Sequence, residues 1–293
     1  MRVGVHGRPL DEKSIAPVQQ IQALLEAHGV TLHYTQSFAR ELKKVGIPTP
    51  KQESIRLDAG VGEHALDVML SLGGDGTLLD TVTYVGALET PILGINLGRL
   101  GFLATTPRQE IEKGLKELME GTYTLDRRSL LRLDSDNDLF GKHNYALNEV
   151  AILKQDTSSM IVVHTFINGE YLNSYWADGL IVATPTGSTG YSLSCGGPVV
   201  LPRSKNFVVT PVSPHNLNVR PMIVSDNSVI SFEIEGRSRN FLVAMDSRSK
   251  IADPKVQIAV RKEAFSANLI RLNGHNFLDT LRTKLNWGLD MRN

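Results

Sequence analysis

The run Leu70-Ser71-Leu72-Gly73-Gly74-Asp75-Gly76-Thr77-Leu78-Leu79 constrains the fold more than any other stretch of the chain. Val68 to Leu72 reads as a buried strand that breaks into three glycines around one carboxylate and then resumes as an apolar, helix-like run. Glycine has no Cβ, so a backbone built this way lets a bulky anion come close. A helix beginning near Thr77 aims its first N–H groups at whatever lies over the loop and favours negative charge there. The design is a phosphate cradle with one anomaly. Asp75 sets a carboxylate where an anion would be held, which suits a base or a hydroxyl acceptor better than a phosphate ligand. A tight strand-to-helix turn with Asp75 or Thr77 as cap is the structural alternative.

Strand and helix alternate around this loop. Arg2–Gly7 predicts a strand, and Ser14 caps a helix with Val18, Ile21, Leu24 and Leu25 on its face, ending at Gly29. Val30–Tyr34 predicts a second strand, Phe38, Leu42 and Val45 a helical stripe, and Pro91–Ile95 a fourth strand after the Val68 one. Ile111, Leu115, Leu118 and Met119 share one face of a helix begun after Pro107. This alternation predicts an α/β N-terminal domain with a parallel sheet, and such sheets bind ligands outside the carboxyl ends of their strands. After Gly121 short strands dominate: Leu130–Leu133, Tyr145–Leu153, Ile161–Ile167, Leu180–Thr184, Phe207–Val212, Val229–Glu235, Phe241–Met245, Val256–Arg261 and Leu269–Leu272. Asn168-Gly169 is a two-residue hairpin signal. An all-β, sandwich-like C-terminal domain follows, so the expected domains are 1–125 and 126–275. A terminal helix over 276–293, with Phe277, Leu281 and Leu285 on one face, is expected to pack back on the first domain.

The overall balance narrows the partners. Lys+Arg and Asp+Glu both number 31, for a net charge of +0, so nothing points to nucleic acid or a membrane surface. No apolar run reaches the ~20 residues of a membrane span, and MRVGVHGRPLDEK lacks a signal-peptide apolar core. The single Cys195 excludes an internal disulfide and fits a reducing compartment, so a cytoplasmic location is expected. Gly60-Val61-Gly62-Glu63-His64-Ala65 matches the G-x-G-x-x-A dinucleotide fingerprint. No apolar strand precedes it, and Glu63 would oppose a pyrophosphate, so it is rejected. A Walker loop and zinc-ligand spacings are absent.

The second rich stretch is Asp178-Gly179-Leu180-Ile181-Val182-Ala183-Thr184-Pro185-Thr186-Gly187-Ser188-Thr189-Gly190-Tyr191-Ser192. A buried-looking strand opens into a turn crowded with hydroxyls. These groups could hydrogen-bond a base or a sugar, and Tyr191 could stack on a ring; a Ser/Thr/Gly loop that satisfies itself is the alternative. Asn148-Glu149 sets an amide and a carboxylate side by side at a strand start, a pair that suits hydroxyls or an adenine edge. Read alone, a solvated turn is the simpler account of that pair.

Taken together, the motifs resemble the NAD kinase family. They are Gly73-Gly74-Asp75-Gly76-Thr77, Asn96-Leu97-Gly98-Arg99-Leu100-Gly101-Phe102-Leu103, Asn148-Glu149, the run Asp178 to Ser194, Pro214-His215 and Arg220-Pro221. The G-G-D-G loop alone also occurs in lipid kinases and phosphofructokinases; followed by the other motifs at these distances it is specific. The resemblance implies transfer of the γ-phosphate of ATP to the 2′-hydroxyl on the adenosine ribose of NAD, giving NADP. It also implies Mg²⁺ or another divalent cation held through the ATP phosphates rather than by a protein metal site. A homo-oligomer, dimer or tetramer, is implied as well, with a neighbour completing each site. By position, Asp75 is the implied proton acceptor. Gly74, Gly76, Asn148, Glu149, Asp178, Thr186, Thr189, Gly190, Tyr191, Ser192 and Ser194 bind the substrates.

Two positions depart from the family pattern. Trp176 stands where many relatives carry a basic residue, and Arg248 where Gln is common. Both are counted with the dinucleotide site, and Arg248 is expected to supply the positive charge that Trp176 cannot. Polyphosphate as donor and NADH as acceptor stay open. A lipid or sugar kinase, and a non-catalytic NAD- or NADP-sensing protein, are the competing functions. The Asp178–Ser194 run opposes the first, and the intact Asp75 opposes the second.

Overall fold

The structure, a computed structural model, describes residues 1–49, 54–57, 61–155, 160–236 and 240–287. These divide into two compact units, Met1–Arg127 with Ala267–Asn293, and Arg128–Ser266.

The first unit runs β1 (Arg2–Gly7), α1 (Glu12–Ala27), β2 (Thr31–Tyr34), α2 (Gln36–Lys44), β3 (Val68–Gly73), α3 (Asp75–Val85), β4 (Ile92–Asn96), a short β5 (Thr106–Pro107) and α4 (Ile111–Glu120). Strands β2, β1, β3 and β4 lie side by side and parallel, with Val5 opposite Leu70 and Leu72 opposite Ile95. Such strands are covered on both faces and therefore read as unbroken apolar runs. Their core joins Val3, Val5, Leu70, Leu72, Leu93 and Ile95 to Val18, Ile21 and Leu25 of α1 and to Leu115 and Leu118 of α4. Helix α1 starts after Asp11, not at Ser14, whose buried hydroxyl accepts from the Arg108 guanidinium at 3.1 Å.

The second unit opens on β6 (Thr124–Ser135), which begins in the first, and continues with β7 (Tyr145–Ala146), β8 (Glu149–Lys154), β9 (Ile161–Ile167), β10 (Glu170–Ala177), β11 (Gly179–Ala183), the single turn α5 (Tyr191–Ser194), β12 (Asn206–Val212), β13 (Met222–Ser225), β14 (Ile230–Gly236), β15 (Phe241–Met245), β16 (Arg248–Ala252) and β17 (Ile258–Arg271). One antiparallel sheet has the order β13-β12-β11-β8-β15-β16. In the other, β9 lies between β10 and β14, and β14 pairs the first half of β17. Val150, Ile152, Phe207 and Val243 from one sheet share a core with Val163, Phe232 and Val260 from the other, so the unit is a β-sandwich. Asn168 and Gly169, both at positive φ, close the β9–β10 hairpin as the dipeptide predicts.

The structure corrects two strand readings. Tyr145–Leu153 is interrupted between β7 and β8. The expected strands Val256–Arg261 and Leu269–Leu272 merge, from Ile258 to Arg271, into one long strand, β17, whose middle residues include Lys262 and Glu263; these pair with Asp226 and Arg132 and so break the apolar pattern without breaking the strand.

Helix α6 (Phe277–Leu285) ends the described chain. The Asn276 side chain caps it by accepting the Asp279 N–H at 2.9 Å. It belongs to the first unit, as the sequence predicts. Leu281 is buried, Phe277 meets the Phe102 ring, and Lys284 donates to the Leu100 carbonyl. The 288–293 part of the expected helix lies outside the described residues, as does Gly60 of the rejected fingerprint; Gly62–His64 there forms one 3₁₀ turn.

Candidate active site

In the first unit the chain leaves β3 and turns into α3 through Gly74, which occupies the N-cap position. The helix starts at Asp75, two residues before the expected Thr77, and neither Asp75 nor Thr77 caps it with a side chain. The Asp75 carboxylate instead reaches the loop after β4. Its Oδ2 accepts the Phe102 N–H at 2.8 Å, and its Oδ1 accepts those of Leu103 and Ala104 at 3.0 and 3.1 Å.

This contact explains the N-x-G-x-L-G spacing. A Cβ on Gly101 would stand 1.9 Å from Asp75 Oδ1, so only glycine fits there. Asn96 ties the same loop from its other end. It is buried, accepts from the Gly98 N–H at 2.8 Å and donates to the Arg99 and Ala104 carbonyls at 2.7 and 3.3 Å. Two oxygens with three donors leave Oδ2, which takes only one N–H, as the atom with acceptor capacity to spare. Space in front of Gly74 is open, whereas a Cβ on Gly76 would meet the Arg8 guanidinium 3.0 Å away.

In the second unit a second carboxylate plays a matching part. Asp246 sits at positive φ in the two-residue turn between β15 and β16, a conformation Asp tolerates. It accepts the backbone N–H groups of Leu147, Asn148 and Glu149 at 2.8, 2.8 and 3.2 Å. Burial raises its pKa, and the three donors and Arg248 work against that rise. The strand start it holds carries two orphaned atoms. Asn148 Oδ1 and Glu149 Oε2 are both enclosed with no hydrogen-bond partner. A Cβ on Gly190 would stand 2.9 Å from Oε2 and 3.5 Å from Asn148 Nδ2, so Gly190 packs its bare backbone over this pair. Burial first, and the Asp246 charge second, push the Glu149 pKa up to about 8, against the Tyr191 backbone N–H that lowers it. At neutral pH Glu149 is therefore mainly a carboxylic acid, able to donate as well as accept.

The hydroxyl-rich run divides between interior and surface. Thr184 bonds the Leu147 carbonyl at 2.6 Å and accepts the Gly187 N–H at 3.0 Å. Ser188 ties the Pro185 carbonyl to the Val200 N–H, and the fully buried Ser192 pairs with Thr210 at 2.8 Å. Thr186, also buried, accepts from Arg128 at 3.1 Å, and the Thr189 hydroxyl turns back to the Thr186 carbonyl at 3.2 Å. Thr186 and Ser192 thus fix the turn rather than face outward. Tyr191, Ser194 and Trp176 are exposed.

The structure also redistributes the cations. Arg248 donates to the His143 and Tyr145 carbonyls and lies over the Tyr145 ring, clamping the β7 approach. Lys154, at the end of β8, pairs with Asp178 at 2.6 Å. Asn148, Glu149, Gly190 and the Tyr191 backbone therefore lie together, and Asp178 meets a lysine that no spacing rule singles out. Asp246 and Lys154 are the residues that reading for chemistry passed over, while Asn96 and Gly101 stood in the N-x-G-x-L-G-F-L motif without an assigned role. Only Asp246 left a signal, an acidic residue in a two-residue turn between β-rich runs.

An α/β unit with a glycine loop after a parallel strand, and a β-sandwich unit with enclosed, unpartnered polar atoms at the start of β8, fit the class of two-domain phosphotransferases. The comparisons narrow it. Residues 3–123 match the ATP-NAD kinase N-terminal domain and residues 147–272 the ATP-NAD kinase C-terminal domain. The chain is 52% identical to the NAD kinase of Cytophaga hutchinsonii and 42% identical to that of Bacteroides fragilis, with 100% of both chains covered in each case. A yeast NADH kinase structure, complexed with NADH, superposes with a TM-score of 0.87 at 23% identity over 100% of this chain and 89% of that one. An NAD kinase from Archaeoglobus fulgidus in complex with ATP gives 0.76 at 28% identity over 98% and 99%. The chain belongs to the ATP-NAD kinase family and is a phosphotransferase acting on NAD.

Proposed function

We propose that the chain transfers the γ-phosphate of ATP to the 2′-hydroxyl on the adenosine ribose of NAD, giving NADP and ADP. The observation that carries this reading is the pair of orphaned atoms, Asn148 Oδ1 and Glu149 Oε2, held at the start of β8 by Asp246. Enclosed polar atoms without partners are costly, by about 1–3 kcal/mol each, and the hydroxyls and amino edge of an adenosine answer both. Asp178 holds another part of the dinucleotide, and the exposed Tyr191 ring stacks beside the adenine. Asp75 is the proton acceptor, through the oxygen that keeps acceptor capacity. A ribose hydroxyl is a poor nucleophile, and a positioned base contributes ~10²–10⁴-fold.

A divalent cation in this reading accompanies the phosphates of ATP and supplies neutralising charge there. The residues present fit that role better than a protein-held metal. Among the described residues no group of three or more His, Cys, Asp or Glu side chains is gathered, and Asp75 and Asp80 are already engaged by amides and by Arg8. A homo-oligomer and a cytoplasmic location complete the proposal. Exposed Met222 and Ile223 on the edge strand β13 support the first, and the lone Cys195 the second. No helix among the described residues is long and apolar enough to cross a membrane.

Incubation with ATP, Mg²⁺ and NAD, followed by assay with an NADP-specific dehydrogenase, tests the reaction. Time-dependent NADP is the expected result. Its absence with well-folded protein overturns the reading.

A further inference from the structure

Arg8 follows β1 directly, at the carboxyl end of the parallel sheet, and no motif brings it to notice. In the fold its guanidinium lies against the first turn of α3. A Cβ on Gly76 would stand 3.0 Å from Arg8 Nη1 and 3.4 Å from Cζ. Asp80, one turn further along α3, fixes it there, with Oδ2 2.6 Å from Nη2 and 2.7 Å from Nε. Nη1 carries no hydrogen bond among the described residues, and the Arg8 side chain is 47% exposed. Gly76 therefore makes room for a cation, and not only for an approaching ligand.

The placement resolves the anomaly of the loop. Asp75 turns its carboxylate to the amides of Phe102, Leu103 and Ala104. The open side at Gly74 then meets the first N–H groups of α3 together with a guanidinium held in a fixed orientation. An ion pair this exposed adds little to stability, so stability alone is a weak reason for it. Guanidinium is the side chain that grips phosphate oxygens through parallel N–H bonds. We propose that Arg8, oriented by Asp80 across Gly76, binds the phosphates of the donor nucleoside triphosphate. The inference rests on the ATP-dependent reading above and names a donor-side residue for it.

Steady-state kinetics with each substrate varied, and titration of a non-hydrolysable ATP analogue without NAD, test the proposal. Arg8→Gln is expected to raise the KM for ATP and the analogue Kd about tenfold or more, while the KM for NAD stays within about twofold. Arg8→Lys, which keeps the charge but loses the fork, should recover part of the loss. Asp80→Asn, which releases the guanidinium, should show a smaller rise. If wild-type protein makes NADP but Arg8→Gln leaves both ATP parameters unchanged, Arg8 has no donor role and the kinase reading stands. A rise in the KM for NAD alone assigns the cation to the dinucleotide and overturns the proposal equally. If wild-type protein makes no NADP yet binds the analogue, and Arg8→Gln loses that binding, the acceptor reading fails and the Arg8 assignment survives. Should Arg8→Gln not fold, Gly76→Ala decides. Its methyl group makes the guanidinium, 3.0 Å away, give by a few tenths of an ångström at no cost in helix propensity, and an unchanged KM for ATP in both Gly76→Ala and Asp80→Asn then overturns the proposal.

Discussion

Asp75 spends three of its acceptor positions on backbone N–H groups, so its first task is structural and its remaining lone pair is the chemical one. Asn at this position keeps one carbonyl oxygen for two of the donors but turns an amino group towards the third, and it cannot take a proton. Asp75→Asn is therefore expected to lower kcat by about 10²–10⁴-fold while calorimetry still detects NAD binding; near-normal turnover would remove Asp75 as the base. Glu149 makes a prediction in pH. Its carboxyl titrates at about 8 in the folded chain against an ordinary 4.5. The folded state thus holds a proton that the unfolded state has released. Glu149 imposes no penalty below 4.5, and stability is lost progressively as pH rises towards about 8. Glu149→Gln, which keeps the shape and removes the titration, should gain thermal stability relative to wild type across that window and not below it. Parallel Tm profiles in pH for the two proteins would contradict the assignment.

At the scale of elements, the loop from Asn96 to Ala104 is the piece that gives the glycine turn its shape. It has no regular structure and is held by one buried amide and one carboxylate. Gly101→Ala inserts a methyl group into the Asp75 carboxylate. Loss of most activity, with the circular dichroism spectrum intact, is the expected outcome, because β3, α3 and β4 do not depend on this contact. The elements themselves were largely legible. β1, β3, β15 and the Asn168-Gly169 hairpin follow from apolar runs and turn chemistry, which are local properties. The site was legible as a set of motifs but not as a set of contacts. Thr186 and Ser192 look like ligand groups in the sequence, and in the fold their hydroxyls also bond Arg128 and Thr210. Arg248 looks like a charge for the dinucleotide, and in the fold its guanidinium also donates to two carbonyls. Side-chain direction depends on which distant strand arrives alongside, and spacing does not encode that.

The whole chain makes two compact units, and the first is closed by residues from both ends of the sequence. A single cysteine leaves no disulfide to form within the chain. The Tm is accordingly expected to be the same, within error, with and without a thiol reductant; a marked drop on reduction would point to a cross-link between chains. What the sequence determined by itself is what neighbouring residues can express: the alternation of strands and helices, the later run of short strands, the glycine loop and the ordered motifs that place the chain in its family. Tertiary structure decided the partners of the charged groups. Asp75 meets amides 27 to 29 residues away, Asp246 gathers amides 97 to 99 residues away, and Arg8 finds Asp80 at a separation of 72. A carboxylate or guanidinium takes whichever donors or acceptors the packed backbone brings within about 3 Å. That choice exists only once the core has fixed where those backbones run.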